Sequence, residues 1–412
     1  MASKKGMAAV VPALLLVGAA AAPPVTASAA VSGAARAAAA PGDPRDRNGP
    51  DDDRDDRGDR RGDGQDGRNG DQNGQGDDQQ ENGDQRNGQQ GNDQQGNDQQ
   101  DQQNDGQQGN DQQDNDQQQV KEGPVRDDFV NIRQAPRKPR VSQSRNASRG
   151  SFTSRCGTNR NGHHNPDNFI VAPGVQNGAH HIHDYVGNLS TDGFSTDESL
   201  AAAGTTCAQG DRSTYFWPVM RVRGQQDDSD DAEQSERDGN VGRIVTPATA
   251  SMTFLGNPRG RVTAMPRFLR AITGDAKAGT NGTANARAQW TCSGFGDRAL
   301  TDKYPICPGG SRVTRVLEFP SCWDGRNTDS ANHRTHIVFP DRSGSCPAGT
   351  RAVPKLQMTL TYNLPNRPLA FAVDSFPEQG HDPVTDHADF ENVMPDGLMR
   401  RAVGCINGGR AC

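Results

Sequence analysis

The sequence predicts an all-β domain, a disulfide-stabilised β-sandwich or barrel-like fold with long loops, preceded by a long disordered tract. Three observations predict this class. After residue 150 the apolar residues fall in short segments that are rich in β-branched and aromatic side chains. All eight cysteines also lie after residue 150. Residues 41–119, by contrast, contain no aliphatic, aromatic or sulfur-containing side chain other than proline.

The N-terminus resembles a secretory signal peptide over residues 1–29. Lys4 and Lys5 form a charged start, the run MAAVVPALLLVGAAAA is the apolar middle, and residues 27–29 read Ala-Ser-Ala, a small-residue cleavage site. The apolar run is short and interrupted by Pro12, so a cleaved signal is favoured over an uncleaved membrane anchor. No second apolar run of spanning length follows. The mature chain is therefore predicted to be secreted, with no membrane span, and either free or wall-associated.

Residues 30–119 are predicted to be a disordered, acidic tract rich in Gly, Asn, Asp and Gln. Residues 41–119 carry 22 acidic and 8 basic residues. Without apolar side chains such a stretch cannot offset its ordering entropy by burial. Its degenerate repeat predicts a solvated spacer, which either holds the domain away from a surface or only aids solubility.

Residues 120–150 are predicted to be a basic lead-in segment. Residues 120–155 carry nine basic and three acidic residues. This segment either binds an anionic polymer or pairs with the acidic tract before it. The remainder of the chain is nearly neutral, with 25 basic and 27 acidic residues. That balance gives no electrostatic footprint for nucleic acid, so no nucleic-acid partner is predicted.

Residues 151–412 are predicted to form the globular domain. The segment LQMTLTY places Leu356, Met358, Leu360 and Tyr362 on one face, which is the period-two pattern of a half-buried strand. Short helices are predicted only around TDESLAAAG (196–204) and MPRFLRAIT (265–273). Many short strands separated by long loops favour a sandwich or a related barrel.

The cysteines predict four disulfides. Their number is even, no C-x-x-C pair occurs, and the chain is expected to be exported, so disulfides are favoured over a zinc knuckle or a thioredoxin-like motif. Chain proximity suggests the following pairs: Cys156–Cys207, Cys292–Cys307, Cys322–Cys346 and Cys405–Cys412.

The stretch AHHIHDYVGN contains three of the nine histidines. His181 and His183 are two residues apart, so on a strand they point to the same face. Such a pair suits a divalent metal ion or coupled acid–base chemistry. His180 and Asp184 would point the other way. The alternative is that these histidines only satisfy buried backbone groups.

A second His/Asp-rich segment is FPSCWDGRNTDSANHRTHIVFP, residues 319–340. It contains Asp324, Asp329, His333 and His336, and the predicted Cys322–Cys346 bond would tie the loop at both ends, as a defined site requires. The remaining histidines lie in loop-like sequence and are predicted to be surface residues: His163, His164, His381 and His387.

Three ordered motifs resemble the secreted DUF1996 family of unknown function, over roughly residues 150–373. The motifs are H-x-H-x-x-x-G-N (His181, His183, Gly187, Asn188), T-T-C with a downstream W-P (Thr205, Thr206, Cys207, Trp217, Pro218) and F-P-S-C-W-D-G (319–325, followed by His333 and His336). Some fungal relatives carry a wall-polysaccharide-binding module. The resemblance therefore implies a setting in extracellular carbohydrate, but no reaction.

The first functional hypothesis is an extracellular hydrolase or lyase that acts on polysaccharide. His181, His183 and His336 would bind a divalent metal or share acid–base work, and Asp324 would orient a histidine or act as the acid. Convergence of the two histidine segments in one pocket is the condition for this site. Three further residues are predicted to contact substrate: Trp323, His333 and Asn188.

The second hypothesis is a non-catalytic cell-wall or carbohydrate-binding module tethered by the spacer. Trp217, Trp323 and Tyr215 would stack on sugar rings, although the alternative that the Trp residues belong to the core is favoured for Trp217 within TYFWPV. A glycosidase with paired carboxylates drawn from Glu318, Asp324 and Asp329 also stays open. No G-x-S-x-G, H-E-x-x-H, P-loop or helix-leading G-x-G-x-x-G motif occurs.

Overall fold

A computed structural model describes residues 120–412. The predicted signal peptide (1–29) and acidic tract (30–119) lie outside the described residues. Within them the all-β class is confirmed. The strands are β1 Phe129–Asn131, β2 Ser151–Ser154, β3 His164–Asn165, β4 His183–Gly187, β5 Thr214–Pro218, β6 Met220–Val222, β7 Arg243–Val245, β8 Thr249–Leu255, β9 Arg270–Thr273, β10 Trp290–Cys292, β11 Tyr304–Ile306, β12 Val313–Glu318, β13 Cys322–Trp323, β14 Ile337–Val338, β15 Arg351–Ala352, β16 Lys355–Tyr362, β17 Phe371–Val373 and β18 Ala388–Glu391. The helices are α1 Asp197–Ala202, α2 Ala232–Arg237, α3 Ala278–Asn281 and α4 Asp396–Asn407, with single 3₁₀ turns at Arg126–Asp128, Ile132–Gln134, Pro377–Gln379 and Pro383–Thr385.

The first large sheet has five antiparallel strands in the order β10-β12-β16-β8-β2. Its central strand β16 contains the alternating segment predicted from the sequence. Leu356, Met358, Leu360 and Tyr362 are buried, and the residues between them are half-buried. The period-two prediction is therefore confirmed, because one face of this sheet packs on the core.

The second large sheet has five strands in the order β3-β4-β5-β18-β9. Tyr185 of β4 is opposite Phe216 of β5, which is opposite Asp389 of β18, so these three residues share a face. This order matters for the site because it places β4 and β18 on either side of β5, although about 200 residues separate them in the chain.

The two large sheets pack through a shared apolar core, as in a β-sandwich. The ring centroids of Phe254 in β8 and Phe390 in β18 are 6.0 Å apart, and Phe390 also contacts Tyr215 of β5 at 5.1 Å. Smaller sheets surround this core, with the orders β14-β13-β15, β17-β6-β7 and β1-β11. The opposite face of the second sheet is covered by a separate cluster that includes Phe169, Leu200 and Phe216.

The lead-in segment packs on the domain rather than extending from it. β1 pairs in parallel with β11, Phe129 lies 5.1 Å from Tyr304 between ring centroids, and Ile132 is fully buried. The apolar residues that return after the acidic tract thus belong to the core.

One of the two predicted helices is confirmed and the other is wrong. α1 begins after Thr196, whose side chain accepts a hydrogen bond from the Ser199 backbone in a capping box. Residues 265–273 instead run into strand β9, because edge pairing with β18 satisfies the backbone of residues 270–273. The longest helix, α4, was not predicted. It buries the stripe Met399, Ala402, Cys405 and Ile406.

All four predicted disulfides are present: Cys156–Cys207, Cys292–Cys307, Cys322–Cys346 and Cys405–Cys412. Four disulfides in one domain are typical of proteins from oxidising compartments. Within residues 120–412, no helix has the length and apolar character needed to cross a bilayer.

Candidate functional site: a buried histidine cluster

Strand β4 positions the H-x-H pair. His183 opens the strand and is fully buried, and the ring centroids of His181 and His183 are 4.6 Å apart. Asp184 points to the opposite face, as predicted. There its carboxylate accepts hydrogen bonds from Trp217 Nε1 at 3.2 Å and from Asn159 Nδ2 at 2.8 Å. The alternation of a strand therefore separates a histidine face from a core face.

A third imidazole comes from the residue that precedes β18. The Nε2 atoms of His181 and His387 are 3.2 Å apart. Ring nitrogens of His181, His183 and His387 all lie within 4.8 Å of one another, and all three side chains are buried. We call these three residues the histidine cluster.

Two buried arginine–aspartate pairs hold the backbone at the cluster. Arg221 Nε lies 2.6 Å from Asp374 Oδ1, and the other oxygen of Asp374 accepts from the backbone N–H of Ile182 at 3.3 Å, between His181 and His183. Arg315 pairs with Asp386, the residue before His387, in the fully buried interior. Charge-assisted hydrogen bonds of this kind fix geometry as well as adding energy.

Several nitrogens of the histidine cluster lack hydrogen-bond partners. Neither ring nitrogen of His183 has one, and His181 Nδ1 also has none. The carbonyl groups of Asp167 and Ala179 lie near these rings without reaching hydrogen-bond geometry. Only His387 is anchored, by Nδ1 against the Thr385 carbonyl at 2.9 Å. An unpaired buried polar atom costs about 1–3 kcal/mol, so such a group suggests a ligand.

Burial also keeps these rings neutral. It lowers the pKa of His181 and of His183 well below the ordinary range, and the neighbouring imidazoles add to this effect. For His387 burial lowers the pKa to about 4. Neutral imidazole is the form that binds metal ions. Two imidazole nitrogens on one tetrahedral zinc ion are separated by about 3.3 Å, given zinc–nitrogen bonds of about 2.0–2.1 Å. The observed His181–His387 separation matches that value.

The cluster borders a half-open cavity of about 220 Å³. His181, His387 and Asp389 line its inner side. Neither carboxylate oxygen of Asp389 reaches hydrogen-bond geometry, and burial raises its pKa to about 7, although the Asn168 side chain and the charge of Arg334 act in the opposite direction. The cavity thus has a candidate acid–base group beside three candidate metal ligands.

A second grouping of ligand-type residues is Cys156, Cys207 and Asp211. Its cysteines form a disulfide, so the sulfur atoms are not available as thiolate ligands.

The second His/Asp-rich segment does not bring His336 to the histidine cluster. His336 is buried, with Nε2 against the Arg270 carbonyl at 2.7 Å and Nδ1 against Ser330 Oγ at 2.9 Å. Both ring nitrogens are therefore satisfied within their own surroundings. The prediction that His183 and His336 converge is therefore wrong. His183 lies beside His387 instead, because the order of the second sheet places β18 next to β5.

Other predicted site residues in this segment also form hydrogen bonds within their own loop. Asp324 accepts from the backbone N–H groups of Arg326 and Asn327, as in a tight turn. His333 Nδ1 lies 3.0 Å from Asp329, and Trp323 Nε1 donates to the Asn327 carbonyl at 2.6 Å.

Asn188 and Glu318 lie away from the cavity as well. The amide of Asn188 donates to the carbonyls of Leu200 and Arg212. Glu318 pairs with Lys355 on the first large sheet. Neither residue is among those that line the histidine cavity.

The second segment nevertheless reaches the cavity through a residue that the sequence did not single out. Arg334, from the loop closed by Cys322–Cys346, is part of the cavity lining. The tied loop therefore supplies a cation to the site, where an imidazole was expected.

The prediction that His381 and His387 are surface residues is wrong, because each is only 5% exposed. His381 contacts the carbonyls of Val373 and Gly239 through its two nitrogens. His163 and His164 are half-buried, and His164 Nε2 lies 2.8 Å from Asp184.

The sequence did contain a signal for β18. In DHADFEN (386–392) the residues His387, Asp389 and Glu391 alternate with Ala388 and Phe390. This is a period-two pattern with one polar and one apolar face. The segment was interpreted as a loop because Gly, Pro and Asp residues precede it.

The family model described as "Domain of unknown function (DUF1996)" matches residues 168–392, which is more than half of the chain. This range contains the histidine cluster and the whole cavity lining. No curated protein and no solved structure matches the chain.

Proposed function

The chain belongs to the DUF1996 family, and from its site we propose that it is a secreted, metal-dependent enzyme that acts on extracellular polysaccharide. His181, His183 and His387 would hold the metal, and the adjoining cavity would receive a sugar unit. The observation that carries this proposal is the set of buried imidazole nitrogens without partners beside an open cavity.

A metal ion explains the cluster better than a structural role does. Histidines that only stabilise a core are normally paired with backbone or side-chain groups, as His336 and His381 are. Within the histidine cluster, His181 and His387 lie at hydrogen-bond distance from each other through their Nε2 atoms, but His181 Nδ1 and both ring nitrogens of His183 have no partner. Three imidazoles and an open position are typical of catalytic zinc sites, and imidazole also suits copper, iron and nickel.

A divalent metal at this position would supply Lewis-acid polarisation of a substrate oxygen. The chain's own residues prepare the rest of the site. The Thr385 carbonyl fixes the orientation of the His387 ring, as backbone carbonyls do around metal-bound histidines. Asp389 would take or give a proton at a substrate atom in the cavity, the role that the sequence alone had suggested for Asp324.

The setting outside the cell rests on the four disulfides and on the predicted signal peptide. The choice of polysaccharide follows from the family resemblance, and a half-open cavity with apolar walls and a few polar groups suits a small cyclic substrate unit.

The alternative of a stacking-based wall-binding module is less well supported. Trp217 and Tyr215 are fully buried in the core and so present no ring face to a sugar. Trp323 is half-buried, with its indole N–H held by the backbone of its own loop.

The test uses the purified full-length protein. We expect elemental analysis to find about one divalent metal per chain after dialysis, and we expect calorimetry to show tight zinc rebinding after chelation. Turnover would be sought on a panel of wall polysaccharides. His183→Ala should abolish both metal binding and turnover, whereas the matched control His336→Ala, if folded, should keep both. Absence of metal binding in the wild-type protein would overturn the proposal. Retention on insoluble wall material without any turnover would support the binding module instead.

A further inference from the structure

Two cations line the cavity together with His181 and His387, and they come from different parts of the chain. Lys277 lies just before α3, and Arg334 lies on the loop closed by Cys322–Cys346. Both residues line the cavity together with Phe376 and Asp389.

Most of the hydrogen-bonding capacity of Arg334 is unused. Its Nη2 donates to the Gly274 carbonyl at 2.8 Å, which fixes the direction of the guanidinium. Within residues 120–412 this is the one side-chain hydrogen bond that Arg334 makes, and its charge acts on the nearby Asp389 without forming an ion pair. A guanidinium has five N–H donors, so a planar anion can bind in a bidentate manner.

Lys277 is only partly compensated. Its Nζ atom is 3.5 Å from Glu378 and 4.2 Å above the centre of the Phe376 ring, and its side chain is 41% exposed. The aromatic ring holds the ammonium at the mouth of the cavity through a cation–π contact.

The acidic groups of the lining do not cancel these cations once a metal is bound. Asp275 faces the cavity too, but one of its oxygens already accepts from the Lys277 backbone N–H at 2.9 Å. Asp389 is the other carboxyl group, and the imidazoles of the lining are neutral. With Glu378 beside Lys277, the two cations face three carboxylates, and a divalent metal on the histidine cluster would still leave this region with a net positive charge.

We propose that the cavity takes an anionic sugar, namely a uronate whose carboxylate is bound by Arg334 with Lys277 at the entrance. This inference deepens the proposed function and rests on it for the reaction, but the anion subsite itself consists of residues outside the metal-binding set. The apolar ring of Phe376 would face the sugar body, which suits a ring with polar edges and apolar faces. Sulfate esters carry the same charge, so the experiment must separate the two anions.

The test measures binding of the full-length, zinc-loaded protein to three polymers by calorimetry: polygalacturonate, its carboxyl-reduced neutral form, and a sulfated neutral glucan. We expect polygalacturonate to bind at least about 10-fold more tightly than the reduced polymer, since a charge-assisted hydrogen bond contributes about 1.5–3 kcal/mol. Arg334→Gln should remove that preference while leaving zinc affinity unchanged. Arg326→Gln is the matched control, since Arg326 is an exposed arginine on the same tied loop.

Equal binding of polygalacturonate and the reduced polymer would overturn the inference, as would an unchanged preference in Arg334→Gln. Preference for the sulfated glucan over the uronate would also contradict it. If Arg334→Gln does not fold, Lys277→Gln provides a second variant, in which a smaller loss of the same preference is expected. A third outcome separates the two proposals. If the wild-type protein binds no zinc but still prefers polygalacturonate, and Arg334→Gln removes that preference, the metal proposal is overturned and the anion subsite is supported.

Discussion

Two histidine-rich regions of this molecule look alike in sequence and differ in structure. The histidine cluster and the tied loop at residues 323–346 both combine histidines and aspartates in a short stretch or on a shared face. In the tied loop, His333 and His336 have hydrogen-bond partners. In the histidine cluster, three ring nitrogens of His181 and His183 have none.

This comparison indicates that buried polar atoms without hydrogen-bond partners identify a ligand site better than residue type does. Buried histidines that are paired stabilise the fold, and their removal is expected to reduce stability. Buried histidines that are unpaired already cost stability, so a ligand is the natural explanation for their presence. Each prediction below sets one region against the other.

The largest expected effect is on metal affinity. His387→Ala should weaken zinc binding by more than about 100-fold, because removing even the hydrogen-bond partner of a ligand costs about 10–100-fold. The control His333→Ala should leave the affinity unchanged. Calorimetric titration of both variants measures this, and an equal loss in the two would remove the distinction between the regions.

The next largest effect is on the free energy of unfolding, and here the variant in the tied loop should lose more than the variant in the histidine cluster. His336→Ala should reduce the free energy of unfolding by about 3 kcal/mol. It leaves a buried cavity, and it leaves the Arg270 carbonyl and Ser330 Oγ without their hydrogen-bond partner. Urea denaturation of the metal-free protein measures it. In the same experiment His183→Ala should cost less, since no hydrogen bond of its ring is lost. A larger loss for His183→Ala would assign that residue a structural role.

A smaller effect is expected at Asp389. Asp389→Asn should raise the free energy of unfolding by about 1 kcal/mol at neutral pH, because it removes a buried carboxyl group that has no hydrogen-bond partner. Any turnover should fall sharply in the same variant. Asp329→Asn in the tied loop should instead lower stability slightly, since Asp329 pairs with His333 and Arg270. Greater stability with full turnover would exclude Asp389 from the chemistry.

The smallest effect concerns pH, at a residue that joins the two regions. Glu391 contacts Arg270, which also contacts Asp329, and burial raises the pKa of Glu391 to about 7. A carboxyl whose folded pKa is raised above its unfolded value stabilises the fold below the unfolded pKa, and this contribution is lost as pH rises through about 7. Glu391 therefore contributes a decrease in the free energy of unfolding as pH rises from about 5 to about 8, superimposed on the opposite slope of the buried histidines, whose lowered pKa values favour the folded state at higher pH. Glu391→Gln should remove that decrease, and Glu318→Gln, whose carboxyl has a lowered pKa, should not. If the pH dependence of the free energy of unfolding were unchanged in Glu391→Gln, a group other than Glu391 would be responsible for it.

Much of the fold followed from local pattern. The alternation in β16, the capping box at Thr196 and the Cys405–Cys412 pair depend on neighbours within a strand, a helical turn or a short stretch of chain. Residues 265–273 were misjudged because an apolar segment of that length fits either a helix or a strand, and pairing with β18 decided between them.

For the candidate site too, the local pattern predicted some features and not others. Period-two geometry was enough to place His181 and His183 on one face and Asp184 on the other. Nothing local indicated that His387 would face His181, since 206 residues separate them. His336 is not the third ligand, because the Arg270 carbonyl and Ser330 hold its ring, whereas Arg334 of the same loop lines the cavity and is held by the Gly274 carbonyl.

Composition and the short-range geometry of the backbone were enough to predict the β class, the lack of apolar side chains in residues 41–119, and the shared face of His181 and His183, whereas chain proximity only suggested the disulfide pairs. Only the tertiary structure decided which distant residues join that face. Strand order is set by non-local pairing of backbone groups, and it placed β18, with Asp389 and the preceding His387, directly beside β5 and on the other side of it from β4. Whether a buried polar atom is satisfied likewise depends on neighbours that no local pattern specifies.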